Sequence, residues 1–203
     1  MLRVDSLAVR RGGRTIIEDI SLAAAPAEIV GVVGKNGCGK STLLTCIAGV
    51  LPPRDGVVEI DGASVWGSHA ERTRARAALG YVPEAADPPG FMTGAELWAL
   101  CAAARRCDPP TAALRDALGL DELADKPLDK LSLGQRRRAC LGAAFVGPPK
   151  LLVLDEPDNG LDVKHLGRLI ELMKAHAAAG GACILASHDD ALLDALAARR
   201  FAL

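Results

Sequence analysis

Gly34-Lys35-Asn36-Gly37-Cys38-Gly39-Lys40-Ser41 stands between the apolar run Glu28-Ile29-Val30-Gly31-Val32-Val33 and a helix-like run beginning Thr42-Leu43-Leu44. The spacing G-x-x-x-x-G-K-[ST], in a strand–loop–helix setting, is that of a phosphate-binding loop. Glycines let the backbone turn tightly, so that successive N–H groups converge on phosphate oxygens. The helix that follows brings its positive dipole end to the same spot. Lys40 has the reach for β- and γ-phosphates, and the Ser41 hydroxyl suits Mg²⁺. Residues Gly34 to Thr42 are thus the expected contacts to a nucleoside triphosphate.

A chain of 203 residues can bury a substantial core, and its length fits one domain. Half of its residues are hydrophobic, yet no run approaches the roughly 18 apolar residues of a spanning helix. Arg3, Asp5, Arg10 and Arg11 interrupt the N-terminus before an apolar signal region could form. The expectation is a soluble, cytoplasmic protein. The formal net charge of −1 gives no field that would gather nucleic acid, and no such partner is expected. Arg136-Arg137-Arg138, the one dense basic run, reads as a solvated or interface-facing helix turn. The six cysteines show no metal-ligand spacing. Cys46, Cys140 and Cys183 lie in apolar runs and read as core residues.

Working outward, Leu2–Val9 and Ile16–Leu22 are β-like runs separated by the hairpin signal Arg10-Arg11-Gly12-Gly13-Arg14. Val57–Gly62 reads as a further strand closed by a turn. After Tyr81-Val82-Pro83-Glu84 the composition shifts to proline turns and alanine-rich helices. Thr93-x-x-Glu96 there has capping-box spacing, so residues 85–133 read as a small helical subdomain. Strand-like 150–155, a helix over 163–178 stopped by Gly180-Gly181, strand-like 182–187 and a last helix over about 189–200 complete the chain. The fold class expected is α/β, with a mostly parallel core sheet and a ligand at the strands' carboxyl ends.

Leu151-Leu152-Val153-Leu154-Asp155-Glu156-Pro157 is an apolar strand ending in two acids. Asp155 would hold Mg²⁺, through water, beside Ser41, and Glu156 would polarise an attacking water as general base. Leu131-Ser132-Leu133-Gly134-Gln135 precedes a helical run and offers Ser132 with helix-start N–H groups as an anion site. The chain already has one phosphate loop, so the economical reading is that a second copy supplies the phosphate across a dimer interface. Asp158-Asn159-Gly160-Leu161-Asp162 follows the acidic strand, and Ser187-His188 puts a histidine at a strand end, within reach of a γ-phosphate.

The ordered set GKNGCGKS (34–41), YVPE (81–84), LSLGQ (131–135), LLVLDEP (151–157), NGLD (159–162) and SH (187–188) closely resembles the ATP-binding subunits of ABC transporters over essentially the whole chain. The resemblance implies a P-loop NTPase with an N-terminal antiparallel β subdomain. It implies a head-to-tail dimer, of this chain or with a related ATPase subunit, sandwiching two ATPs with Mg²⁺. In that dimer Ser132, Gly134 and Gln135 face the opposing copy's nucleotide. Glu156 activates water, and His188 bridges the γ-phosphate and the opposing 158–162 segment. It further implies an integral-membrane permease as partner, which would place the subunit on the inner face of the membrane.

Three positions depart from the family pattern. Glu84 stands where glutamine is usual; a carboxylate there can ligand Mg²⁺ or orient water but adds negative charge. Leu133 replaces a glycine. Arg11 occupies the place of the adenine-stacking aromatic, and its planar guanidinium can stack on a base. Glu84 with Leu133 resembles the ATPases of bacterial export-type systems. In this reading Phe91, Met92 and Trp98 are candidate contacts to a permease helix, with packing within the helical insertion as the alternative. The competing reading is an ABC ATPase acting on ribosomes or DNA, but the sequence has neither a tandem cassette nor a long coiled-coil insertion. A non-hydrolysing sensor is opposed by the presence of Lys40, Asp155, Glu156 and His188.

Overall fold

The apolar runs on either side of the glycine loop become the two layers that hold it. A computed structural model describes residues 1–203. Strands β1 (Leu2–Arg11), β2 (Arg14–Ala24), β4 (Asp55–Ile60) and β5 (Ala63–Ser64) form an antiparallel sheet in the order β2-β1-β4-β5. Strands β3 (Ile29–Val33), β6 (Leu79–Val82), β7 (Leu151–Asp155), β8 (Ala182–Ala186) and β9 (Arg199–Ala202) form a parallel sheet in the order β6-β7-β8-β3-β9.

Alternation along the parallel strands divides the core in two. Val30, Val32, Leu151, Val153, Ala182 and Ile184 join a cluster with the antiparallel sheet and helix α1 (Lys40–Ile47). Ile29, Leu152, Leu154, Cys183 and Leu185 face a second cluster built on helices α3 (Gly94–Arg105), α4 (Ala112–Leu118), α5 (Leu133–Phe145), α6 (Val163–Ala178) and α7 (Asp190–Ala195). Period-two side chains buried on both faces are what a covered parallel sheet requires. Helix α1 is thereby trapped between the layers, with Leu43, Leu44, Cys46 and Ile47 fully buried.

The hairpin at 10–14, the 163–178 helix and the Thr93–Glu96 capping box all appear as expected. The C-terminus differs. The helix expected over 189–200 ends at Ala195, Ala197 takes a left-handed turn (φ 49°), and Arg199–Ala202 pairs in parallel with β3. Only Phe201 is a strand former by type, so long-range pairing overrides local propensity. Arg199 joins Glu28, and Arg200 joins Asp190 and Asp194, so the charges sit along an edge strand, as edges favour. Helix α2 (His69–Ala77) lies outside the elements expected from sequence; it is polar and buries only Ala75, although Ser68-x-x-Glu71 carries its capping box.

Two further readings are decided. Trp98 packs within the helical layer and is not an exposed contact: it is buried, and its indole N–H donates to Ala139 O at 2.9 Å. Met92 packs on the same cluster, which leaves Phe91 alone exposed, at 83%. Arg137 and Arg138 are not solvated either, since both are buried and bonded to main-chain carbonyls. No helix is long and apolar enough to cross a membrane.

Candidate nucleotide site

The loop after β3 rises at the carboxyl end of the parallel sheet. Gly39 caps α1 with φ 113°, a conformation that a side chain resists. Lys40 is buried and folds back over the loop, its Nζ donating to Gly34 O at 3.0 Å and Lys35 O at 3.4 Å. An open cavity of about 760 Å³ lies above it. Among the expected residues, Arg11, Asn36, Gly37, Gly39, Lys40, Ser41, Thr42, Glu84, Glu156 and His188 line this cavity. Gly34, Lys35, Cys38 and Asp155 are not among its lining residues. Ile16, Asp158, Asn159 and Asp189 also line it. Ile16 was not legible as a site residue, because only hairpin pairing brings β2 over Gly39.

Two strand ends deliver the acids. Asp155 is 2% exposed; burial pushes its carboxyl above the usual range, while the Ser41 hydroxyl and the Glu84 N–H pull it back. Glu156, the next residue, takes a left-handed φ of 46°, which turns the chain sharply out of the sheet. Its carboxylate accepts the His188 N–H at 3.3 Å and lies 3.3 Å from His188 Nε2. Burial raises the Glu156 carboxyl too, against the opposing pull of His188. Ser187 Oγ donates to Asp158 at 3.1 Å, tying the segment after the acidic strand to the histidine turn.

No group of three His, Cys, Asp or Glu side chains gathers as a metal cage. Ser41, Glu84 and Asp155 offer hard oxygen donors, and the penalty on buried Asp155 is of the kind a cation relieves. That set fits Mg²⁺, which takes one or two carboxylates and completes its shell with phosphate and water.

Ser132, Gly134 and Gln135 are not in the cavity. They form the start of α5, where Ser132 and Gln135 close a capping box on each other at 3.0 and 3.2 Å. Arg136 N–H bonds Ser132 O, so the Leu133 and Gly134 amides remain at the helix tip without an intrachain partner. Gly134 is needed there, since a Cβ would collide with Gly160 O. Leu133 stands 71% exposed beside it.

Cys38 is half-buried, with its sulfur packed against Gly34. Alkylation of Cys38 is expected to block nucleotide binding, and bound ATP to protect it, read by mass spectrometry against a Cys38→Ala control. Undiminished binding after complete labelling would refute this. Burial pushes the Cys46 thiol up to about 12 and Cys140 to about 11, and raises Cys183 as well, so these three should stay unlabelled.

The family model for ABC transporters matches residues 17–159. A zinc import ATP-binding protein of Cereibacter sphaeroides is 36% identical over 93% of this chain and 73% of its own length. A cytochrome c biogenesis ATP-binding export protein of Bordetella parapertussis is 39% identical over 93% of this chain and 83% of its own. A Streptomyces avermitilis relative is 40% identical over 97% of this chain, which spans 35% of that relative's length. Among solved structures, an ATP-binding subunit of an ABC transporter superposes with a TM-score of 0.88 at 26% identity, covering 96% of this chain and 82% of that one. A dimeric bacterial cassette at 21% identity shares the fold, with a TM-score of 0.82 over 96% of this chain and 91% of its own. The chain belongs to the ABC transporter family and is an ATPase of that family.

Proposed function

We propose that this chain is the motor subunit of a transporter and hydrolyses ATP between two cassettes arranged head to tail. One observation carries the reading: the cavity gathers Lys40, Glu156 and His188, while the second anion site of Ser132 and the Leu133 and Gly134 amides lies outside it. A γ-phosphate held in one copy's loop is the natural acceptor for the other copy's free helix tip. In this reading Lys40 and the loop amides bind and orient the triphosphate, and Arg11 and Ile16 flank the base. Glu156 takes the proton of the attacking water, and His188 keeps the Glu156 carboxylate aimed. Mg²⁺, held by Ser41, Asp155 and Glu84, would offset phosphate charge.

A membrane-spanning permease is the proposed partner, with Phe91 as an exposed apolar contact and the inner membrane face as the location. The whole chain is proposed to act as one cassette with residues 85–133 as its helical subdomain. Export is proposed as the direction, from Glu84 and Leu133 and from likeness to the export protein, over the zinc import likeness. Mild detergent extraction of the native complex with mass spectrometry tests both claims. A multi-span membrane protein should co-purify without a solute-binding subunit. Recovery of the chain free of membrane protein would remove the permease, and recovery of a solute-binding subunit would reverse the direction.

A further inference from the structure

Arg137 is 4% exposed although it lies in the most basic run of the chain. It forms no ion pair; its guanidinium donates instead to three main-chain carbonyls. Nη1 donates to Pro83 O at 2.7 Å, and Nη2 donates to Asp155 O at 2.9 Å and to Glu156 O. The Glu156 carbonyl also accepts the Asn159 N–H at 3.1 Å, and the sheet shows where the other two acceptors lie. Strands β6 and β7 pair from Leu79↔Leu151 to Val82↔Leu154, and the ladder stops there, one residue short of Asp155. On its other edge β7 goes on pairing, through Asp155↔Ala186 and the Glu156 N–H to Ala186 O at 2.9 Å. In an extended strand successive carbonyls point to opposite sides. The left-handed turn at Glu156 swings the carbonyls of 155 and 156 together, so that one planar fork can hold both.

We propose that Arg137 is the positioning residue for Glu156. It holds the strained turn that aims the carboxylate at His188, and through Pro83 it fixes the segment carrying Glu84 to the same anchor. A left-handed non-glycine residue persists only where its surroundings over-determine it, and Arg137 adds a side-chain constraint to the backbone bonds that Glu156 makes with Ala186 and Asn159. Arg137 belongs to α5, whose first turn carries Ser132 and Gly134, so displacement of that helix tip passes through one rigid turn to Glu156. The neighbouring Arg138 points elsewhere, to Leu118 O, Gly119 O and Glu122, and bolts α5 to the helical layer. The inference rests on Glu156 being the general base.

The test compares Arg137→Gln, Arg137→Lys and Arg138→Gln in the full chain. Arg137→Gln should lower kcat by roughly 10- to 100-fold, the scale of a misplaced catalytic group, with KM for ATP changed less than about threefold. Arg137→Lys should recover part of the loss, because an ammonium donates to the same carbonyls without the fork. Hydrogen exchange at the amides of 156–159 should quicken in Arg137→Gln while 151–154 stay protected. Arg138→Gln should lower the melting temperature and leave kcat unchanged. Wild-type kcat with unchanged exchange in Arg137→Gln would overturn the proposal. Loss of kcat, ATP binding and global protection together in both Arg137 variants would reduce the residue to a general structural role, and so overturn it too. If Glu156→Gln hydrolyses normally, the general-base reading falls, while exchange at 156–159 still decides whether Arg137 holds the turn.

Discussion

Glu156→Gln is expected to cut ATP turnover by roughly 10²–10⁴, the usual effect of losing a general base, while ATP still binds. Gln keeps the shape and an acceptor for the His188 N–H, so the left-handed turn survives and only proton removal is lost. The variant should accumulate as an ATP-bound dimer, visible by light scattering. A wild-type rate would remove Glu156 from its role, and a monomer at saturating ATP would remove the clamp.

The pH dependence follows from the buried carboxyl. A base must be ionised, so hydrolysis should fall as pH drops through a value above the ordinary carboxylate range, and Glu156→Gln should lack that limb. Stability runs in the opposite direction. A carboxyl whose folded pKa is raised contributes fully below its unfolded pKa, and that contribution is lost as pH rises through the folded value. Nucleotide-free Glu156→Gln should therefore melt higher than the wild type at neutral pH, with the gap closing as the pH falls below the ordinary carboxylate range. Equal melting temperatures at neutral pH would show that burial does not penalise the ionised form.

Lys40→Met is expected to weaken ATP binding by about one to two orders of magnitude, since hydrogen bonds to a charged group contribute about 1.5–3 kcal/mol. The lysine also braces the loop through Gly34 O and Lys35 O, so methionine should loosen 34–39 as well. Isothermal titration with ATP reads the first effect, and hydrogen exchange across the loop reads the second. Affinity within about twofold of the wild type would place the phosphates away from Lys40, because removing a charged donor from bound phosphate weakens binding by more than that.

Residues whose roles are set by neighbours in sequence could be read directly. The glycine spacing, the capping box at Thr93, and the acidic pair ending an apolar strand are local patterns. The structure places Lys40, Glu84, Glu156 and His188 on one cavity. What sequence missed depends on pairing between distant segments. β9 is four residues long and gains its strand character from β3. Sequence leaves Trp98 open between a partner contact and packing within the helical insertion, and its hydrogen bond to α5 decides for packing. Arg137 reads as solvated or interface-facing because a charge in a basic run almost always is, and no local pattern shows that the carbonyls of Pro83, Asp155 and Glu156 converge on it.

The sequence alone therefore determined the phosphate loop, the acidic strand and the alternation of strands with helices, because each follows from spacing within a few residues and from the pattern along one segment. Only the tertiary structure decided which arginine is buried, where the parallel sheet ends and what holds Glu156 in its turn. Those depend on which backbone carbonyls folding brings together, a property of strand neighbours that no single segment encodes.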